Sequence, residues 1–456
     1  IFLFSCLFLT DSILIFVVLF FFCVCGSTER DTTLFVCDVR YVYGTDNTVM
    51  YSVDITGSIA LDLLKKASIL MMEVHPSLRR SIVQKETGNE FILAENPVQV
   101  TVVESDNWER VAKQDLTYSF EPTCPHWRLT LINDTGNPEK CVLLVAYHHA
   151  IGDGIGGMIL IHELLSFYDK LATQNTFELK EKEILPDILS LQESSQINSD
   201  IDIEDELIKH NSQLTSDLQE NLANSNKVND FHYVLGNKEN LNRLLSKCRN
   251  KQVSVGCVLF VASNWALARN EWLRMSSKKK SIRINMNMDV NERNRLTPKL
   301  GHENIQLLIS MLPWKQSVSQ SDFFWESVEA LSSSLSGRLY HTLDYQAFNE
   351  DCLKENKESW LTDANFSSVG KYPFSNQYGS LRVNHMHLIG SQWCPLFGRY
   401  VLLSNSVDAM SYSIVCHSGD STHAREIVND WAELVEGLAD REGDFSMESY
   451  LHHHSF

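Results

Sequence analysis

Residues 141–157, CVLLVAYHHAIGDGIGG, join an unbroken apolar run to two adjacent histidines, an aspartate and several glycines. The run Cys141–Tyr147 is apolar on both faces, the pattern of a strand buried inside a sheet rather than at its edge. Beyond the glycines, Ile161, Leu164, Leu165, Tyr168 and Leu171 recur at helical spacing. HHAIGDG is therefore a turn between a central strand and a helix. Successive strand side chains point to opposite faces, so His148 and His149 cannot both reach one small site: one packs while the other is presented. A metal site built on His149 and Asp153 is disfavoured, because adjacent imidazoles diverge and no third ligand has recognisable spacing. Asp153, flanked by Gly152 and Gly154, sits in a tight turn where the glycines are free to take positive φ. Its work there is geometric: accepting backbone amides or pairing with an arginine. A presented, neutral imidazole removes a proton from a hydroxyl, amine or thiol near neutral pH. No GxSxG stands near it, so a Ser-His-Asp hydrolase is not indicated.

Outward from this turn the chain divides in two. With 456 residues it exceeds one ordinary core, and two large lobes are expected. Residues 34–180 alternate strand and helix patterns; SIALDLLKKASILMMEVHP places Ala60, Leu63, Leu64, Ala67, Met71 and Val74 on one helical stripe that Pro76 ends. Residues 181–230 are acidic, polar and poor in aromatics, and read as a linker with short helices. Residues 231–456 form the second lobe. Its clearest helix carries Val258, Val261, Ala262, Trp265, Arg269 and Trp272 behind a Ser254 cap. Strand patterns IRINMNMDV, IQLLISML, LRVNHMHLI and YVLLSNSVDAMSYSIVCH follow, and a last helix carries Val428, Trp431, Leu434, Val435 and Leu438. Trp127 and Tyr147 are expected in the core.

A formal charge of −19 argues against nucleic acid as a partner, since phosphate binding needs a basic surface. Eleven cysteines without CxxC spacing fit buried thiols in a reducing, intracellular and cytoplasmic setting rather than a disulfide framework. The sequons at Asn133 and Asn365 are too common by chance to argue secretion. Residues 1–33 are a separate hydrophobic segment. Its first 27 residues exceed the ~20 apolar residues that span a bilayer, so a membrane anchor is one reading and a stretch foreign to the mature protein the other. A basic n-region and a small-residue cleavage site are missing, which speaks against a signal peptide.

HHAIGDG resembles the HHxxxDG signature of the acyltransferase superfamily. That superfamily includes nonribosomal peptide condensation domains, plant-type acyl-CoA-dependent transferases, wax ester synthases, alcohol acetyltransferases and polyketide-associated acyltransferases. VHPSLRR and PHWRLTL (Pro125–Leu131) resemble the HPxLR and PLWR segments of these families, and NFSSVGKYPFSNQYGSLRV resembles their S-N-x-G segment and the strand after it. The resemblance runs from about residue 40 to 440. It implies an α/β fold of two chloramphenicol-acetyltransferase-like lobes, each a mixed sheet flanked by helices, with a tunnel between them. It further implies His149 as general base, Asp153 as the residue holding the loop, His148 turned away and Gly154 keeping the turn open. The implied co-substrate is an acyl-CoA or an acyl-phosphopantetheine carrier, with no bound cofactor and an alcohol or amine as acceptor.

Two departures stand out. The plant-type DFGWG motif has only a distant echo in CPLFGR at Cys394–Arg399. Where relatives carry S-N-x-G this chain has Ser367, Ser368, Val369 and Gly370; a hydroxyl from Ser367 or Ser368 could still donate to a developing oxyanion, the other reading being an ordinary polar turn. Arg283, Arg293 and Arg295 are candidates to pair with Asp153 or to meet an anionic donor, or else are solvated. The leading expectation is an O- or N-acyltransferase of small molecules. The alternatives are a condensation domain acting in trans on a carrier protein, and a non-catalytic binding protein on the same fold.

Overall fold

The structure, a computed structural model, describes residues 47–85, 88–173, 178–186, 188–195, 229–275, 279–339, 362–391 and 398–452. The hydrophobic amino-terminal segment, most of the acidic stretch and Cys394–Phe397 lie outside the described residues. Strands β1 (Thr48–Thr56), β2 (Arg80–Lys85), β3 (Gly88–Leu93), β4 (Gln99–Glu104), β5 (Trp127–Asn133) and β6 (Lys140–His148) belong to the first half. With them come helices α1 (Leu61–Val74), α2 (Trp108–Asp115) and α3 (Gly154–Ala172). The second half supplies β7 (Asn229–Leu235), β8 (Ser281–Asn291), β9 (Ile309–Ser319), β10 (Ala364–Lys371), β11 (Gln377–Tyr378), β12 (Leu381–Gly390), β13 (Tyr400–Ser406) and β14 (Met410–His417). Its main helices are α4 (Lys238–Lys251), α5 (Val255–Met275), α6 (Phe324–Arg338) and α7 (Ser421–Gly437).

Two six-stranded mixed sheets result, ordered β11-β12-β1-β6-β5-β4 and β7-β14-β13-β10-β8-β9, with β2 and β3 as a separate hairpin. The run 141–147 is a central strand as its two-faced apolar pattern requires: β6 pairs antiparallel with β1 on one side and with β5 on the other. The second sheet begins at Asn229, close to the expected residue 231. The second half nevertheless does not keep to its own sheet. Strands β11 and β12 cross back, and β12 lies antiparallel against β1 from Val49↔Gly390 to Thr56↔Arg382. A boundary at 231 therefore separates two stretches of sequence but not two sheets. The apolar run in LRVNHMHLI fits either sheet equally well, so its pattern alone could not assign it.

The stripes of α1 and α7 bury as their spacing dictates, whereas α5 is buried on every face from Cys257 to Ala268. In α1, Leu64, Ala67, Met71 and Val74 are buried, while Ala60 stands before the helix as its N-cap and is exposed. In α5, Trp265 is fully buried, and Ser254 Oγ accepts from the Cys257 amide at 3.1 Å, the expected cap. Val428, Trp431, Leu434 and Val435 of α7 are buried against the second sheet. Trp127 and Tyr147 are fully buried. The described cysteines Cys124, Cys141, Cys248, Cys257 and Cys416 are all buried free thiols.

Aromatic packing joins the halves away from the histidine turn. Trp108 of α2 stacks on His387 of β12 at 5.7 Å and lies 5.1 Å from Tyr233 of β7. Beside them, Tyr233 donates to Glu109 at 3.0 Å, and Lys113 pairs with Asp230 at 2.5 Å. The start of α3 also approaches the second sheet closely at Gly154. A Cβ there would lie 2.5 Å from Cγ2 of Val369 on β10, inside van der Waals contact with a stiff, β-branched side chain. Neither Gly152, whose φ is −174°, nor Gly154 adopts positive φ. Glycine is needed at 154 for proximity and not for a left-handed turn, which corrects the expectation that the glycines flanking Asp153 take positive φ. Gly154→Ala is accordingly expected to destabilise the fold by about 1–3 kcal/mol through overpacking. Val369→Ala should restore most of that loss in the double variant; additive losses in chemical denaturation would show that the start of α3 and β10 do not touch there.

Candidate active site

The site grows out of the end of β6. His148, the last strand residue, keeps the extended conformation, and His149 opens a short 3-10 turn, His149–Ile151. The two imidazoles consequently part. His148 is buried, its Nδ1 accepts from the Ala150 amide at 3.2 Å, and its ring packs against His126 at 5.7 Å and Phe120 at 6.2 Å. His149 is half-buried and lines a cavity of about 180 Å³ between the two sheets. Its amide donates to the Asn47 carbonyl at 2.9 Å, which fixes the backbone just ahead of β1. Burial lowers the pKa of the His149 ring from its ordinary value, while the nearby backbone of His149 and Gly152 and the Asp153 carboxylate work the other way. The neutral ring is therefore the resting form near neutral pH. Nδ1 is buried without a hydrogen bond of regular geometry.

Asp153 lies at the N-cap of α3 and is fully buried. Oδ1 accepts from the Gly156 amide at 2.8 Å, the usual capping bond. Oδ2 accepts from Arg293 Nη1 at 2.6 Å and from the Leu308 amide at 2.9 Å, both contributed by the second half. Arg293 is itself 2% exposed and donates a further bond through Nη2 to the Gln306 carbonyl at 3.2 Å. Of the three candidate arginines, Arg293 is the partner of Asp153; Arg295 pairs with Glu292 at 2.6 Å, and Arg283 is exposed. Two tyrosines brace the same turn from beneath. Tyr51 donates to the Gly154 carbonyl and Tyr147 to the Asp153 carbonyl, each at 2.7 Å. A Cβ on Gly157 would collide with both rings, so glycine is required there as well.

Across the cavity from His149 stands β10. Ser367 and Ser368 both line the space. Ser367 bonds to the carboxyl of Asp289, whereas Ser368 Oγ accepts from Ser404 at 3.0 Å and keeps its own proton to donate. The Asn365 amide Nδ2 lies 3.3 and 3.4 Å from the two oxygens of Asp289. Asn365 is 2% exposed, so its sequon is sealed inside the molecule. Sequence reasoning did not single out Asp289. Its signal was the single acid in the strand IRINMNMDVN, whose other residues are apolar or amides apart from Arg283, a position that burial makes costly unless it has work to do. A second, smaller cavity shares the histidine turn as a wall through Ala150 and Ile151 and is lined by Arg80, Lys182 and Ile305. The two spaces lie on either side of the histidine turn and share no lining residue.

No group of three or more His, Cys, Asp or Glu residues able to hold a metal ion occurs among the described residues. Within the same residues, no helix is long and apolar enough to cross a membrane; the segment 1–27 that suggested an anchor lies outside them.

Two mixed sheets with helices packed on them and a histidine at their shared cavity define a two-lobed, chloramphenicol-acetyltransferase-like protein. The condensation domain family model matches residues 47–371, well over half of the chain, and the protein belongs to that family, whose members transfer acyl groups. Among solved structures, the chain is similar to polyketide synthase associated protein 5 from Mycobacterium tuberculosis, with TM-score 0.65 and 13% identity over 88% of this chain and 97% of that one. It is similar to the first condensation domain of the CDA synthetase, with TM-score 0.62 and 13% identity over 93% and 95% of the two chains. It also resembles the SgcC5 protein from Streptomyces globisporus, solved in complex with (R)-(-)-1-(2-naphthyl)-1,2-ethanediol and sucrose, with TM-score 0.59 and 16% identity over 86% and 92%. At these identities the likeness is one of fold. A search of curated protein sequences finds no match to the chain.

Removing one member of a buried ion pair leaves the other charge stranded, at a cost of about 3–5 kcal/mol. Arg293→Ala should lose that much stability in denaturant unfolding, and Arg293→Lys, which cannot reproduce the fork toward Asp153 and Gln306, should recover only part of it. An Arg293→Ala protein as stable as the parent would show that Asp153 is held by its backbone donors alone.

Proposed function

We propose that the protein transfers an acyl group from a thioester donor to an alcohol or amine, with His149 as the general base. The observation that carries this reading is a single imidazole, neutral in its resting form, lining a cavity between two sheets and backed by the buried Asp153–Arg293 pair. In the reaction, Nε2 of His149 takes the proton of the acceptor as its oxygen or nitrogen attacks the thioester carbonyl carbon. The carbonyl oxygen gains the negative charge of a tetrahedral intermediate. Ser368, with its hydroxyl proton uncommitted, is the donor placed to meet that oxygen, and Ser367, already engaged with Asp289, is the weaker candidate. Collapse breaks the carbon–sulfur bond, and the departing thiolate recovers the proton from the imidazolium. Acylated acceptor and free thiol are the products. His148 takes no part: it packs on the other face of β6.

The donor is a carrier-borne phosphopantetheine thioester or an acyl-CoA. Condensation domains use the first, and both present the same reacting bond. That SgcC5 binds a diol supports an alcohol as acceptor here. Base catalysis by a positioned histidine is worth ~10²- to 10⁴-fold, so His149→Ala should lower acceptor-dependent thiol release by that factor while the far-UV circular dichroism and melting profile stay intact. The active form is the neutral ring with a lowered pKa, so kcat/KM should rise with pH through an inflection below about 6.5 and be flat at neutral pH. Full turnover by His149→Ala would remove the mechanism. Stabilisation by acyl-CoA with no product from the wild type would instead favour a binding protein.

A further inference from the structure

His149 and Asp289 enter the same cavity from opposite sheets, His149 at the end of β6 and Asp289 near the end of β8. Apolar side chains, Val49, Ile155, Leu388 and Val401 among them, make up the larger part of the exposed lining, with Asn47, Thr48, Asn291 and Ser391 beside them. The Asp289 carboxyl is held by Asn365 and Ser367, both neutral donors. No lysine or arginine lines this cavity among the described residues, and the nearest guanidinium to the turn, Arg293, is committed to Asp153 and the Gln306 carbonyl. A negative group is thus oriented toward a small, mostly apolar space with nothing positive in it to answer its charge. Such a group gains most from a ligand that brings a cation of its own.

We propose that Asp289 is a specificity-determining residue that receives an ammonium group of the acceptor, so that the acceptors are amino alcohols or diamines. The inference rests on the acyl-transfer reading and narrows it. The ammonium bound at Asp289 cannot be the attacking atom, because its lone pair carries a proton. The acceptor is therefore bifunctional: one end, a hydroxyl or neutral amine, gives its proton to His149, and the other stays charged at Asp289. The apolar part of the lining suits the methylene chain that would join these ends. Burial and the neighbouring charge of Asp153 push the Asp289 carboxyl up to about 6 against the bonds from Ser367 and Asn365, so it is mostly ionised at neutral pH and poised to be stabilised by a bound cation.

The test compares linear amino alcohols of three to six carbons between hydroxyl and ammonium with alkanols that carry a methyl in place of the ammonium. Acetyl-CoA and S-acetylpantetheine serve as donors, and free thiol and product mass are followed. The wild type should favour the amino alcohol of the best-fitting length by about 10- to 100-fold in kcat/KM, the range of a charge-assisted contact. Asp289→Asn, which keeps shape but loses charge, should collapse that preference, and Asp289→Glu should retain a share of it. Calorimetric titration of the same amino alcohols into both proteins reads the contact without turnover. Equal use of the two acceptor classes by the wild type, or a preference that survives in Asp289→Asn, overturns the proposal. If no acceptor is acylated but the amino alcohol still binds and Asp289→Asn abolishes that binding, the catalytic reading fails and the Asp289 contact stands. Absence of both turnover and binding overturns the proposal together with its foundation.

Discussion

The carboxylate of Asp153 has no contact with solvent and is shared between the two halves of the molecule. One oxygen caps the helix that follows the histidine turn; the other is claimed by Arg293 and by the backbone ahead of β9. Fully buried ion pairs are expensive to assemble and contribute little net stability, so their worth lies in the arrangement they enforce. Here that arrangement is the angle at which the β6–α3 turn meets the second sheet. Gly154, which Val369 touches, and Gly157, which Tyr51 and Tyr147 touch, let the turn sit close enough for the pair to form. A larger residue at either position would push the turn outward and lengthen a charged bond that tolerates no water.

From that constraint the chemistry follows in order. The strand must end where the turn begins, so of two adjacent histidines one completes the strand and packs against His126 while the next is swung into the space between the sheets. Burial keeps that second ring neutral, which is the state a base must start from. The opposite wall is built from a different sheet, and it contributes hydroxyls and a carboxyl rather than a second base. In the proposed reaction the imidazole from the first sheet and the hydroxyls of the second face one cavity.

Much of this was legible in the residues. The two-faced apolar run at 141–147 placed a central strand, the alternation of strand side chains separated the placements of His148 and His149, and the helical stripe of α7 buried as spaced, whereas α5 is buried on every face from Cys257 to Ala268. Residues whose position depends on contacts distant in sequence were not. Arg293 was one of three candidate arginines until 140 residues of chain were folded between it and Asp153. Strand β12 carries a pattern suited to either sheet, and only its pairing with β1 shows that the second half of the chain completes the first sheet. Gly154 invited an explanation from backbone freedom, whereas its reason is the side chain of Val369, more than two hundred residues away. Asp289 went unremarked because a single acid in a strand has no periodic signature; its meaning comes from what faces it.

The central claim is that Asp153 and Arg293 act as one unit to hold His149 at the cavity. A double-mutant cycle on acceptor-dependent kcat/KM, using Asp153→Asn, Arg293→Met and the combination, tests it most directly. If the pair is one device, either single change should cost nearly the whole loss and the combination little more. Losses that simply multiply, each residue contributing on its own account, would contradict it.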